Sequence, residues 1–202
     1  MKPLKKIITF VIFLSCSLPF TVYAEDPAPL VMVRKTSMQV LDALKRNKSQ
    51  LNNRQVVFNI VNGIAVPHFD LPNISKMVVG RNYWEQASAS EQQQFIKAFT
   101  HYVINMYSSA ISSYTNETIA FRSLRDYDPS QNRAQIYSTI IRSGAPSISL
   151  NYRVIKIGNE WKIYDFTAEG VSMVQSYRSQ FSSVLNHGGL TELTKQLKAK
   201  RK

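Results

Sequence analysis

The sequence predicts an α+β domain: an antiparallel sheet of about four strands with helices packed on one face. Three observations lead there. Apolar residues recur at three-and-four spacing from Leu30 to Tyr114, as amphipathic helices require. From Glu117 to Phe166 the pattern changes to short segments rich in β-branched and aromatic residues. Beyond Gly170 the helical spacing returns through Val171, Val174, Tyr177, Phe181 and Leu185. With no internal repeat and no low-complexity linker, these blocks read as one domain over residues 25–202.

The first 24 residues are set apart. MKPLKK is basic, IITFVIFLSCSLPF is apolar but short for a membrane span, and Val22-Tyr23-Ala24 suits cleavage before Glu25. Residues 1–24 therefore read as a secretory signal peptide. A retained anchor and lipoprotein processing at Cys16 are the alternatives. Cys16 is the sole cysteine, so the chain after residue 24 has neither disulfides nor thiolate metal sites, and its stability must come from a hydrophobic core. With 44% hydrophobic residues, such a core is available. The formal charge is +12, and loss of Lys2, Lys5 and Lys6 with the signal lowers it by three. In an exported protein that basic balance points away from nucleic acid, towards anionic lipid surfaces, acidic partners or simple solubility.

Each helix has its own punctuation. Pro27-Ala28-Pro29 opens the first, which carries Leu30, Val33, Met38, Leu41 and Leu44 and runs to about Asn47. Val56, Val57, Ile60, Val61 and Ile64 form the stripe of the second, ended by Pro67. Asp70 and Pro72 start a short helix that stops at Gly80. Ser88 to Glu91 matches a capping box before a long helix carrying Phe95, Phe99, Tyr102, Val103, Met106, Tyr107, Ile111 and Tyr114. At the C-terminal end, His187-Gly188-Gly189 closes one helix and TELTKQLKAKRK forms a last short one.

The predicted strands are ETIAFRSLRDY, RAQIYSTIIR, SISLNYRVIKI and EWKIYDF. Gly158-Asn159 is a two-residue hairpin signal. It pairs Ile157 with Glu160, Lys156 with Trp161, Val154 with Ile163 and Tyr152 with Asp165. Ile148, Leu150, Tyr152, Val154, Trp161 and Ile163 then share one face, with Ser147, Ser149, Asn151, Arg153 and Lys162 on the other. The strand over residues 133–142 is apolar on both parities, so its inward face stays open.

Catalytic chemistry finds little support. Ser172 follows Gly170 in a strand–turn–helix setting, but a nucleophile elbow needs a second small residue where Val174 stands. His68, His101 and His187 are scattered, so neither a triad nor a metal set forms. Asp126 and Asp128 read as turn formers. Glu169 or Ser172 reads as the cap of the following helix. One enzymatic option remains, proton transfer by a buried Asp165 beside Tyr152. Beside it stand two non-catalytic readings: a solid-core adaptor, or a domain that encloses an apolar cavity.

FDLPNISKMVVGRNYWEQASASEQQQFIKAFTHYVINMY resembles the core motif of the MlaC, or toluene-tolerance, family of periplasmic phospholipid-binding proteins. WKIYDFTAEGVSMVQSYRSQF resembles its second signature, with Trp161, Asp165, Glu169, Gly170, Val171, Ser172, Arg178 and Phe181 at the matching positions. Tyr83 before Trp84, and Val79 in place of leucine, depart from the pattern. The resemblance implies an apolar cavity between sheet and helices that holds a phospholipid by its tails, with no cofactor, no metal and no catalysis. It implies exchange between an outer-membrane lipoprotein–porin complex and an inner-membrane ABC transporter bearing a ring-forming lipid-binding subunit. Face assignment then names Tyr102, Met106, Tyr107, Tyr114, Phe121, Leu150, Tyr152, Val154, Ile163 and Val171 as the expected tail contacts.

Overall fold

A computed structural model describes residues 26–124 and 127–200. The signal-peptide reading and Asp126 lie outside the described residues. The first half is helical: α1 (Ala28–Arg46), α2 (Arg54–Ile64), α3 (Leu71–Val79), α4 (Arg81–Gln86) and α5 (Ala89–Ser112). Five strands follow: β1 (Thr118–Phe121), β2 (Arg133–Ile141), β3 (Ile148–Ile157), β4 (Glu160–Ala168) and β5 (Val171–Ser172). Helix α6 (Met173–Ala199) ends the chain.

The helix limits follow from their caps. Asp70 accepts a hydrogen bond from the Asn73 N–H at 3.3 Å, and Gly80 leaves α3 with φ of 87°. At the start of α5, Ser88 and Glu91 form the predicted capping box. The Glu91 carboxylate also accepts from Thr191 Oγ1 at 3.0 Å, so the cap ties α5 to α6. Gly189, with φ 65° and ψ −166°, breaks α6 into two rods where the sequence predicted a helix end. Helix α4 has no counterpart in the sequence reading, because six residues are too few to show a period.

The sheet is an antiparallel meander in the order β1-β2-β3-β4-β5, one strand more than expected. The fifth is the two-residue β5, where the sequence reading began a helix at Val171. Glu169 (φ 51°) and Gly170 (φ 81°) are both left-handed and make a two-residue hairpin that pairs Ala168 with Val171. The chain takes one more extended step before α6 starts. On β2, Ile136 and Ser138 are the buried residues, while Arg133, Gln135 and Tyr137 face outwards. That settles the face the sequence left open. Ser138 is tolerated inside because its hydroxyl donates to the Leu150 carbonyl.

Between β3 and β4 the predicted register holds from Ile157–Glu160 to Val154–Ile163 and then slips. Tyr164 is an extra residue, so Arg153 pairs with Asp165 and Tyr152 with Phe166. The expected Tyr152–Asp165 pair is therefore corrected. The two side chains lie on opposite faces of the sheet.

Three apolar clusters result. One joins α3, α4, α5 and α6 around Phe95, Phe99, Tyr102, Tyr177 and Phe181. A second lies between α1 and the inner face of the sheet, around Leu30, Val33, Ile136, Tyr152, Val154, Trp161 and Ile163. The third packs α1 against α2. Phe95 is fully buried and stacks on Phe99 at 5.5 Å. Phe95→Ala should cost about 3–5 kcal/mol. Urea denaturation with an unchanged m-value checks this.

Candidate functional site

The second signature, WKIYDFTAEGVSMVQSYRSQF, folds as a joint between β4, β5 and the start of α6. Asp165 is 4% exposed, and each of its oxygens is engaged. Oδ2 accepts from the Ser172 hydroxyl at 2.7 Å, and Oδ1 accepts from the Val174 N–H at 3.2 Å. Arg153 Nη1 approaches Oδ2 at 3.7 Å. Ser172 Oγ in turn accepts from the Gln175 N–H at 3.2 Å and is the N-cap of α6. Of the two expected caps, Ser172 has this role. Glu169 instead reaches back to β3, with its carboxylate accepting from the Ser149 N–H. The carboxylate thus holds a buried helix start in place, and no substrate-sized space adjoins it among the openings described below.

The histidines are occupied elsewhere. His187 Nδ1 lies 2.7 Å from the Ser183 carbonyl, and the His101 ring meets the Phe58 ring at a tilt of 34° with centroids 4.5 Å apart. His68 stands by Lys162 and Lys35, and its pKa is lowered by burial first and by those cations second. Among the described residues, no three His, Cys, Asp or Glu side chains group to hold a metal. Tyr152, 8% exposed, lies 3.4 Å from Ser37 Oγ across the α1–sheet contact. Burial pushes its phenol above the ordinary value, so at neutral pH it is a hydrogen-bonding group and not a base.

The apolar space is the other candidate. Phe121, Leu150, Tyr152, Val154 and Ile163 of the expected contacts converge in the sheet cluster under α1. Tyr114 and Phe121 line an opening of about 430 Å³ along one flank of α1, with Arg34, Met38, Leu41, Asp42, Lys45 and Ile119. A second opening, about 710 Å³, follows the other flank beside Met32, Lys35 and His68. The remaining four contacts are not brought to this place. Tyr102 is buried in the helix cluster, 6.0 Å from Tyr177 and 6.1 Å from Phe181. Tyr107 donates to Met173 Sδ at 3.2 Å. Met106 and Val171 face solvent, 57% and 58% exposed.

Sequence reasoning passed over several residues of the sheet cluster. Leu30 and Val33 were visible in the α1 stripe, but nothing there says which element the stripe covers. Phe69 enters by a parallel bridge to Ile163, and Phe166 enters because of the bulge. Neither has a local signal.

An antiparallel sheet, a helix laid across it, an apolar cluster between them and surface openings along both flanks of the helix define an α+β domain with a candidate ligand-binding side. Over residues 34–199 the chain matches the family described as "MlaC protein". It belongs to that family. It is 26% identical over 170 residues to the toluene tolerance protein ttg2D of Pseudomonas putida, covering 84% of this chain and 77% of that one. It is 25% identical over 172 residues to the intermembrane phospholipid transport system binding protein MlaC of Haemophilus influenzae, covering 83% and 79%. The phospholipid-binding protein of Ralstonia solanacearum, solved in complex with a phospholipid, superposes with a TM-score of 0.79 at 28% identity, over 87% of this chain and 97% of that one.

Asp165→Asn should destabilise the fold by about 1–3 kcal/mol, because an amide cannot accept from both Ser172 and Val174 in the present geometry. Ser172→Ala should cost about 1 kcal/mol through the lost cap. Chemical denaturation of both variants and the double mutant checks this, with strong non-additivity expected for groups in one network.

Proposed function

We propose that the chain is a periplasmic phospholipid carrier. The observation that carries the proposal is the apolar cluster between α1 and the sheet, bordered by openings along the flanks of α1, in a member of the MlaC family. The solved relative's bound phospholipid supports the ligand class. Two acyl tails of about 30 methylenes together gain roughly 24 kcal/mol on leaving water, at about 0.8 kcal/mol each. A lipid does not cross an aqueous gap against that, so a carrier must shield the tails and still release them.

Phe121, Leu150, Tyr152, Val154 and Ile163 form the floor on which the tails lie, and Tyr114 stands at the mouth. An opening of 430 Å³ is at the low end of ligand-site volumes, roughly 300–1,000 Å³. Two full tails therefore require α1 to move off the sheet. Tyr102 joins the contacts only if the helix cluster also yields, and Met106, Tyr107 and Val171 only if the segments that carry them turn inwards. Residues 1–24 act as the cleaved export signal, and among the described residues no helix is long and apolar enough to cross a membrane. The carrier exchanges lipid with an inner-membrane ABC transporter that bears a ring-forming subunit and with an outer-membrane lipoprotein–porin complex. No bond is broken in this cycle.

Protein exported to a bacterial periplasm and extracted with organic solvent should yield phospholipid close to stoichiometric with protein, read by phosphorus assay and mass spectrometry. Folded protein that carries none, and takes none from vesicles, overturns the reading. Leu150→Trp, at the half-buried edge of the floor, should lower uptake several-fold with little change in melting temperature.

A further inference from the structure

We propose that Arg34 is the recognition site for the phosphodiester of the bound lipid, so that this carrier distinguishes phospholipids from uncharged diacyl lipids. The proposal rests on the carrier reading and adds a polar site to it. Arg34 lies on the face of α1 that borders the smaller opening. Its guanidinium stands over the Phe121 ring, 5.6 Å from the centroid, and that ring belongs to the apolar floor. Asp26 Oδ2 meets Nη1 at 3.1 Å. The other edge is different: Nε is fully buried and has no hydrogen-bond acceptor among the described residues.

A buried donor without an acceptor is a cost that native structures rarely leave in place. A guanidinium offers two forked edges, each matched to a carboxylate or a phosphate. Asp26 occupies one and fixes the plane, and Phe121 supports it from below. Arg34 lines the opening together with Met38, Leu41, Ile119 and Phe121, beside the path that apolar tails would take, so an anionic group entering there with its tails is the acceptor that Nε lacks. A guanidinium beside an apolar floor, with one donor still lacking an acceptor, suits an anionic group joined to hydrocarbon, which would share the guanidinium with Asp26 or displace it.

Lys45, at the far end of the same opening, is eleven residues further along α1, about 16 Å at 1.5 Å per residue. The Lys45 end also carries Asp42 and Glu117, which oppose an anion there.

The test uses delipidated full-length protein and two soluble probes, dioctanoylphosphatidylglycerol and dioctanoylglycerol. Binding is followed by tryptophan fluorescence, since Trp161 lies in the sheet cluster. The native chain should prefer the phospholipid by about ten- to a hundredfold, the range of a hydrogen bond to a charged group. Arg34→Gln should erase that preference and leave dioctanoylglycerol affinity within about twofold, which also certifies the fold. Arg34→Lys should keep only part of it, since a point charge lacks the fork. Lys45→Gln should leave the preference intact. A preference unchanged in Arg34→Gln, or lost in Lys45→Gln, overturns the assignment, as does inorganic phosphate competing with dioctanoylphosphatidylglycerol at equal concentration. If the native chain binds neither probe, the carrier reading falls first.

Discussion

Tyr164 is one residue too many for the β3–β4 ladder, and much of the structure depends on that excess. Without it, strict alternation would place Asp165 beside Tyr152 in the interior and send Phe166 out to solvent. The bulge exchanges them. The ring goes to the apolar side, and the carboxylate goes to the side where β5 and the first turn of α6 need an acceptor. Burying an ionised carboxylate without partners is prohibitive, so its position is settled by where hydroxyl and amide donors can reach it. The same step keeps the inner face of the sheet free of charge, which any apolar ligand would require. Tyr164, left unpaired, is not wasted: Arg133 and Arg153 stack on its outer face at 5.8 and 5.4 Å.

The architecture was largely legible because its signals are local. Caps at Asp70 and Ser88, the glycine pair of the β3–β4 hairpin and the alternation of residues 148–154 each act within a few residues. The strand 133–142 resisted reading since Ile136, Tyr137, Ile140 and Ile141 supply apolar side chains to both faces, and only pairing with β3 chooses between them. The bulge was invisible for a related reason. The alternation of Trp161 and Ile163 simply continues in the sequence, and the slip is driven by what Asp165 meets across space. The candidate site was half legible. Sheet residues were assigned to one face as they fold, but Tyr102, Met106, Tyr107 and Tyr114 were assigned to the same space, whereas Tyr102 packs into the helix cluster, Met106 faces solvent, Tyr107 reaches Met173 and Tyr114 packs beside α1 and α2. One-dimensional periodicity says that a stripe is covered and not by what.

A carrier of this build faces a conflict between holding and releasing. The helix cluster is dense with aromatic contacts: Phe99 meets Tyr177 and Phe181 edge-on, and Phe95 is fully enclosed. Helix α1 buries Leu30 and Val33 against the sheet and turns its other side to solvent. It has openings on both flanks and exposes Val31 and Met38. The dense helix cluster and the sheet cluster flanked by openings are different parts of one domain, and in the proposed carrier the second is the part that would yield to lipid tails.

Phe166 belongs to neither part alone. It packs against the sheet cluster and the helix cluster together, and its edge meets Phe69 at 6.3 Å. A side chain shared by two cores ties their fates in unfolding. Opening either cluster strips contacts from the same ring, so the partly open state loses stability on both sides. The shared ring thereby favours a single cooperative transition, in a chain whose sole cysteine is Cys16.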